Sequence, residues 1–242
     1  MRHSRCLEHL QLANYLLFTN PIEINIYYLE MNLQNYYYYF QSALTPRFCD
    51  ELIKYGISQQ EQLALTGGQT IKIEEGKNLK EEDIVDLKKK RDSNVVWLSD
   101  RWIYKEIQPF IHQANQLAGW NFEWSFSEAC QFTKYKLNQF YDWHCDSWET
   151  PYANPDNKDT NGKIRKLSVT CSLSDPKDYE GGELEFDFRN MDPDKPTIRK
   201  CAEISQRGSI VVFPSHVWHR VKPVTKGTRY SLVIWNLGYP FR

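Results

Sequence analysis

From Trp120 onward the apolar residues of this chain recur with a period of two, in the runs "WNFEWSFSEACQFTKY", "KIRKLSVTCSLSD", "GGELEFDF", "RGSIVVFPS" and "TRYSLVIWNLG". Successive side chains of a strand point to opposite faces, so this alternation predicts β-strands with two chemically distinct faces. Each run is short and bounded by Gly, Pro, Asn or Asp, the residues that set turns. Several such strands at close spacing predict an antiparallel sandwich or a closed jelly roll, because closure removes unpaired sheet edges.

The part before Trp120 has other periods. "NYYYYFQSAL" is an aromatic, β-favouring run, and Tyr36 to Tyr39 within it read as sheet packing. "LTPRFCDELIKYGISQQ" places Thr45 as an N-cap and Pro46 at the first helical position, with Phe48, Leu52 and Ile53 on one face and Ile57 close to it. "EEGKNLKEEDIVDLKKKRDSN", residues 74 to 94, is charge-dense and reads as a solvated loop or helix without chemistry. A second helix starts after "WLSD" with Ser99 or Asp100 as cap. Trp102, Ile103, Ile107, Phe110, Ile111, Ala114 and Leu117 form its apolar stripe, and Gly119 stops it. Pro109 should kink or divide that helix. The expected fold is mainly β with flanking α-helices, the helices covering one outer sheet of the roll.

The 242 residues suffice for one buried core, and no shift in composition cuts them in two. Residues 31–242 therefore read as a single domain, helical over 31–119 and β over 120–242. Residues 1–30 begin basic and then partly apolar, but Glu8, His9, Gln11 and Asn14 interrupt the apolar stretch and no small-residue cleavage site follows. They read as an extension dispensable for the core.

Thirty basic against thirty-one acidic residues leave no global field toward nucleic acid or an anionic membrane, so a nucleic-acid partner is disfavoured. No apolar run approaches the roughly 20 residues that span a bilayer, so no membrane partner is expected. Six cysteines without a C-x-x-C pair form neither a zinc ribbon nor a dense disulfide framework, which fits a reducing cytoplasm. The dinucleotide, P-loop, H-E-x-x-H and G-x-S-x-G motifs are all absent.

What remains is "QFYDWHCDSWE". In an extended strand His144 and Asp146 share a face while Cys145 points away. Two ligands do not hold a redox metal, so a third must come from a distant strand. Of the six histidines, His3 and His9 lie in the extension and His112 sits mid-helix, which leaves His216 and His219. These two have opposite strand parity, and His219 is the choice. The chain reverses near Pro223 to Gly227, which is expected to bring His219 and Arg229 together on adjacent strands. A His, carboxylate, His set without a fourth protein ligand is the facial triad of non-haem iron(II) oxygenases, with open positions for cosubstrate and dioxygen. Arg229 would grip a dicarboxylate by a two-pronged charged hydrogen bond, and Ser231, two residues on, would add a hydroxyl.

These marks, "KKRDSNVVWLSD", "CQFTKYKLNQFYDWHCD", "YEGGELEF" and "GSIVVFPSHVWHRVKPVTKGTRYSLVIW", resemble the prolyl 4-hydroxylase-like branch of the 2-oxoglutarate and iron(II) dependent oxygenases, over roughly Tyr36 to Gly238. The resemblance implies a double-stranded β-helix with Fe(II) on His144, Asp146 and His219, and 2-oxoglutarate held by Arg229 and Tyr135. It matches Tyr141 to a tyrosine near substrate or cosubstrate and Trp235 to a pocket-wall aromatic. It further implies hydroxylation of a C–H bond, with peptidyl proline as leading substrate and a free amino acid or other small molecule as alternative. 2-Oxoglutarate and dioxygen would yield succinate and carbon dioxide, with ascorbate as reductant. The polar tract Ser147 to Lys163 reads as a substrate lid, with Trp148 and Tyr152 as its contacts.

Other readings stand beside this one. A zinc hydrolase could use the same three ligands with Glu149 as base, leaving Arg229 idle. A non-catalytic β-sandwich binding module would keep the site as a vestige. Gly181 and Gly182 read as a tight turn.

Overall fold

The alternation sorts side chains onto two faces of opposite chemistry. In the computed structural model, which describes residues 31–74, 76–147, 150–189 and 197–241, the chain begins with β1 (Tyr38–Phe40), α1 (Pro46–Ser58), β2 (Gln62–Leu63) and α2 (Gly67–Glu74). It continues through α3 (Glu81–Lys90), β3 (Arg91–Asp92), β4 (Asn94–Leu98) and α4 (Arg101–Leu117). The roll follows as β5 (Phe126–Ser127), β6 (Cys130–Tyr135), β7 (Phe140–His144), β8 (Ile164–Ser172), β9 (Tyr179–Gly181), β10 (Leu184–Asp187) and β11 (Ile198–Lys200). It closes with β12 (Ile210–Pro214), β13 (Trp218–Val221), β14 (Val224–Gly227) and β15 (Arg229–Gly238).

All pairings are antiparallel. A large sheet runs β1-β12-β8-β15-β6-β4-β2 with β5 beside β15, a smaller one runs β11-β10-β13-β7-β3, and β14 and β9 form a ribbon. On the outer face of the large sheet, Phe132, Leu167, Val169, Cys171, Val212, Leu232 and Ile234 pack against Leu52 of α1 and Ile103, Ile107 and Ile111 of α4. Burying each such aliphatic side chain stabilises the fold by about 1.5–3 kcal/mol, which is why the helices lie on this face. The inner face carries Thr133, Tyr135, Ser168, Ser172, Arg229 and Ser231, all buried. A second cluster, with Tyr135 and Phe213 from the large sheet and Phe186 and Val221 from the small one, closes the two sheets on each other. This is the expected jelly roll with helices on one outer sheet.

α1 begins as expected, Thr45 Oγ1 accepting the Phe48 N–H at 3.1 Å and Pro46 opening the helix. Pro109 does not divide α4, which runs unbroken from Arg101 to Leu117. Pro109 and Lys105, the residue whose carbonyl it leaves without a helical partner, both lie on the exposed side of the helix, while Ile103, Ile107, Ile111 and Ala114 anchor both halves in the core. The apolar stripe is narrower than expected, since Leu117 is exposed, and Ile57 of α1 is exposed as well. Asp100 stands at the N-cap position, but its carboxylate accepts from the Tyr55 hydroxyl rather than from the helix. Of the tetra-Tyr run only Tyr38 and Tyr39 lie in β1; Tyr37, just before it, stacks on Phe186 at 5.0 Å, while Tyr36 and Tyr39 are exposed. Residues 1–30 lie outside the described residues.

Candidate metal centre

β7 ends at His144, and β13 lays His219 directly opposite it in register. The ring centroids are 4.1 Å apart. Asp146 follows two residues on, its N–H donating to the Ser215 carbonyl at 2.9 Å. Its Oδ1 lies 3.8 Å from His144 Nε2 and its Oδ2 lies 3.5 Å from His219 Nε2. One ligand atom from each residue falls within 4.8 Å of the others, the only such cluster among the described residues. His216 is exposed and stands apart from it.

The donor set suits a divalent metal for a reason beyond proximity. Nδ1 of His144 is 2.7 Å from the Asp142 carbonyl and Nδ1 of His219 is 3.0 Å from the Val217 carbonyl. Carbonyls only accept, so each Nδ1 carries the hydrogen and each Nε2 turns its lone pair toward the shared point. Burial, with His219 alongside, holds His144 down to about 3, so that imidazole is neutral. Burial pushes the Asp146 carboxyl upward, but the two imidazoles, Arg165 and the Ser168 hydroxyl outweigh it and leave it below the usual range. Ser168 Oγ donates to Asp146 Oδ2 at 2.7 Å. A neutral His144 imidazole and an ionised Asp146 carboxylate are in the protonation states a metal requires.

Arg229 opens β15 on the inner face and is 3% exposed. It lies opposite Tyr135 in register, its Cζ 5.6 Å from that ring centroid, and its Nη1 donates to Ser231 Oγ at 3.2 Å. No carboxylate of the described residues makes an ion pair with it. His219 and Arg229 are not on adjacent strands, contrary to expectation: β13 belongs to the small sheet and β15 to the large one. The turn-rich segment carries the chain from one sheet to the other by way of β14, so the two side chains belong to opposite walls of the roll.

Residues 130–236 match the family model described as the 2OG-Fe(II) oxygenase superfamily. This segment belongs to that superfamily. The oxygenase segment is similar to a curated "PKHD-type hydroxylase" of Pseudomonas fluorescens, 33% identical over 103 residues, covering 42% of this chain and 40% of the relative. The match thus spans about two fifths of that relative's length. Among solved structures, the viral collagen prolyl hydroxylase vCPH of Paramecium Bursaria Chlorella virus-1, in a 2OG complex, superposes with a TM-score of 0.54 at 19% identity over 85% of this chain and 97% of that one. A Trichoplax adhaerens prolyl hydroxylase, in complex with a hypoxia inducible factor oxygen degradation domain peptide fragment, gives 0.56 at 17% identity over 84% of each chain. At these identities the likeness is one of fold.

The other expected residues of the oxygenase segment are placed as follows. Tyr135 and Ser231 line the inner face beside Arg229. The Tyr141 ring stacks on His144, and burial pushes its phenol up to about 12. Trp235 faces inward, its buried Nε1 without an acceptor. Tyr152 is tied down, its hydroxyl donating to Glu128 Oε1 at 2.9 Å. Trp148 and Glu149 lie outside the described residues.

Three features escaped the sequence reading. Arg165 lies over Trp235, 3.9 Å from Cζ to ring centroid, and pairs with Glu128. Gly182 clears space for Arg229, since a Cβ there would stand 2.8 Å from Arg229 Cδ. Arg91, in the charged tract assigned no chemistry, is buried with its Cζ 4.4 Å from the Tyr141 ring centroid. A lone arginine after three lysines gives no local sign of turning inward.

Proposed function

We propose that the chain is an Fe(II)- and 2-oxoglutarate-dependent dioxygenase that hydroxylates a C–H bond, with peptidyl proline as the leading substrate class. The observation that carries this reading is Arg229: a guanidinium buried on the inner wall without a carboxylate partner. An unpaired buried charge is costly by several kcal/mol, and a ligand carboxylate would relieve that cost. A zinc hydrolase offers no reason for it.

In this reading His144, Asp146 and His219 hold the metal through Nε2, a carboxylate oxygen and Nε2. Ferrous iron so held, with 2-oxoglutarate, supplies the dioxygen chemistry that gives succinate, carbon dioxide and a hydroxylated product. Arg229 grips the distal carboxylate of 2-oxoglutarate with its planar fork, Ser231 orients that fork, and Tyr135 walls its far side. Trp235 offers its unpartnered Nε1 to an acceptor in the cavity, while Arg165, paired with Glu128, lies over the same indole. The tract from Ser147 to Lys163 would act as the substrate lid, with Trp148 and Tyr152 as its contact residues.

The peptide reading is supported by the prolyl hydroxylases among the structures of like fold, one of them with a bound peptide. A free amino acid or other small molecule is the alternative within the same chemistry. Ascorbate would serve as reductant, and six cysteines without a C-x-x-C pair suit a cytoplasmic setting. No described helix is long and apolar enough to cross a membrane.

The test supplies ferrous iron, 2-oxoglutarate and oxygen to the purified chain and measures succinate. Proline-containing peptides and host lysate are then searched by mass spectrometry for products heavier by one oxygen atom. Absence of succinate with iron, or hydrolysis with zinc alone, would overturn the reading.

A further inference from the structure

Arg91 ends the basic run Lys88, Lys89, Lys90, Arg91; the three lysines are exposed, whereas Arg91 is 4% exposed. The difference arises from pairing. α3 stops at Lys90, and β3 joins the edge of the small sheet with Arg91 opposite Tyr141 of β7. Once inside, the guanidinium is held in plane by two bonds, Nε donating to Ser93 Oγ at 3.1 Å and Nη1 to the Leu65 carbonyl at 3.0 Å. Nη2 is buried without an acceptor, and no carboxylate of the described residues pairs with the group. Hydrogen bonding alone therefore does not account for its burial.

What the fixed plane does is cover Tyr141. Its Cζ lies 4.4 Å from the Tyr141 ring centroid, and the other face of the site follows in series: Tyr141 lies 3.5 Å from His144, centroid to centroid, with the planes inclined by 13°. Regular alternation would put Tyr141 and His144, three residues apart, on opposite faces. A bulge between the pairs His219–His144 and Val221–Tyr141 inserts the extra residue that brings both inward. Ser93 extends the same bracing to Tyr135, which lies within reach of its side chain.

We infer that Arg91 is a positioning residue: its locked guanidinium presses Tyr141 onto His144 and so fixes the imidazole plane in which Nε2 offers its lone pair. Arg91 touches no ligand atom of the triad and acts through Tyr141. The planar fork is essential to this role, because a lysine ammonium has neither the flat face nor the two in-plane anchors. The inference rests on the reading of the triad as a metal site.

The test uses the full chain with Co(II) as probe, whose visible d–d absorption reports ligand geometry and whose titration reports affinity. Arg91→Met is expected to weaken Co(II) binding about tenfold and to alter the spectrum, the scale typical of groups that orient a ligating histidine. Tyr141→Leu should do the same, and the double variant should bind no worse than Tyr141→Leu alone. Additive losses in the double variant, or parental Co(II) binding by Arg91→Met, would overturn the inference. If Arg91→Met does not fold by circular dichroism, Arg91→Lys carries the same comparison with the same expected loss, since lysine lacks the fork, and the same additivity or absence of effect overturns it. His219→Ala separates the two readings. Co(II) binding that survives His219→Ala overturns the metal reading itself, whereas its loss there without any effect at Arg91 overturns only the role of Arg91.

Discussion

A Cβ placed on Gly182 would stand 2.8 Å from Cδ of Arg229 and 3.0 Å from Cγ2 of Val224. The glycine also sits at a φ of 65°, where a side chain is strained. The turn that the Gly181-Gly182 pair makes is thus the ceiling under which the arginine stem lies, joining a local backbone requirement to the proposed cosubstrate grip. Gly182→Ala is expected to displace the guanidinium and raise the 2-oxoglutarate KM of uncoupled turnover, while costing about 1 kcal/mol of stability. An unchanged KM in a folded variant would remove the link.

Arg229→Ala deletes the grip itself. A charge-assisted bidentate pair is worth about 3 kcal/mol, so 2-oxoglutarate affinity should fall about a hundredfold. Metal affinity should stay within about twofold, because no ligand atom is moved. Titrations with Mn(II) and with 2-oxoglutarate, monitored by tryptophan fluorescence, read the two effects separately; equal losses in both would contradict the assignment.

Ser168 holds one oxygen of Asp146 at 2.7 Å and also lies 2.9 Å from Ser215 Oγ. Ser168→Ala frees the carboxylate to rotate. Metal affinity should drop about tenfold. Isothermal titration with Mn(II) measures it, and parental affinity would show that Asp146 is oriented by its backbone alone.

Gly56 of α1 tests the layer behind the site. A Cβ there would meet the Phe132 ring at 2.6 Å, so Gly56→Ala must push the helix off the large sheet. Overpacking of this kind costs about 1–3 kcal/mol, read by urea denaturation. Turnover per folded molecule should be unaffected, since Phe132 lies on the helix face of the sheet.

The thiols should react in order of burial. Burial pushes Cys130 up to about 12 and Cys171 well above the usual thiol range. A raised pKa leaves the thiol protonated, and the thiolate is the nucleophile, so neither should alkylate in the native protein at about pH 8. Half-buried Cys145, between two triad residues, should react first, and unfolding should make all of them reactive at that same pH. Mass spectrometry of iodoacetamide adducts decides it; native labelling of Cys171 would show that the outer core opens.

Much of this architecture is legible in local pattern. Thr45-Pro46 started α1 as its capping chemistry requires, and the runs "CQFTKY", "KLSVTCS" and "RYSLVIW" carry both faces of the large sheet in their alternation. The two-residue spacing of His144 and Asp146, and the parity that separates His219 from His216, follow from the same geometry. Pro109 misled because a local cost of about 3 kcal/mol was set against packing visible only in the fold.

Three relationships lay beyond any local pattern. That His219 and Arg229 stand on different sheets is decided by where β14 crosses the roll. That Tyr141 and His144 share a face is decided by a bulge, which exists only relative to a partner strand. That Arg91 turns inward while three lysines before it do not is decided by which residue first meets the sheet edge. Periodicity is a property of one strand and can be read from one stretch of chain; register, crossing and bulge are properties of pairs, and the residues that form those pairs are far apart in sequence.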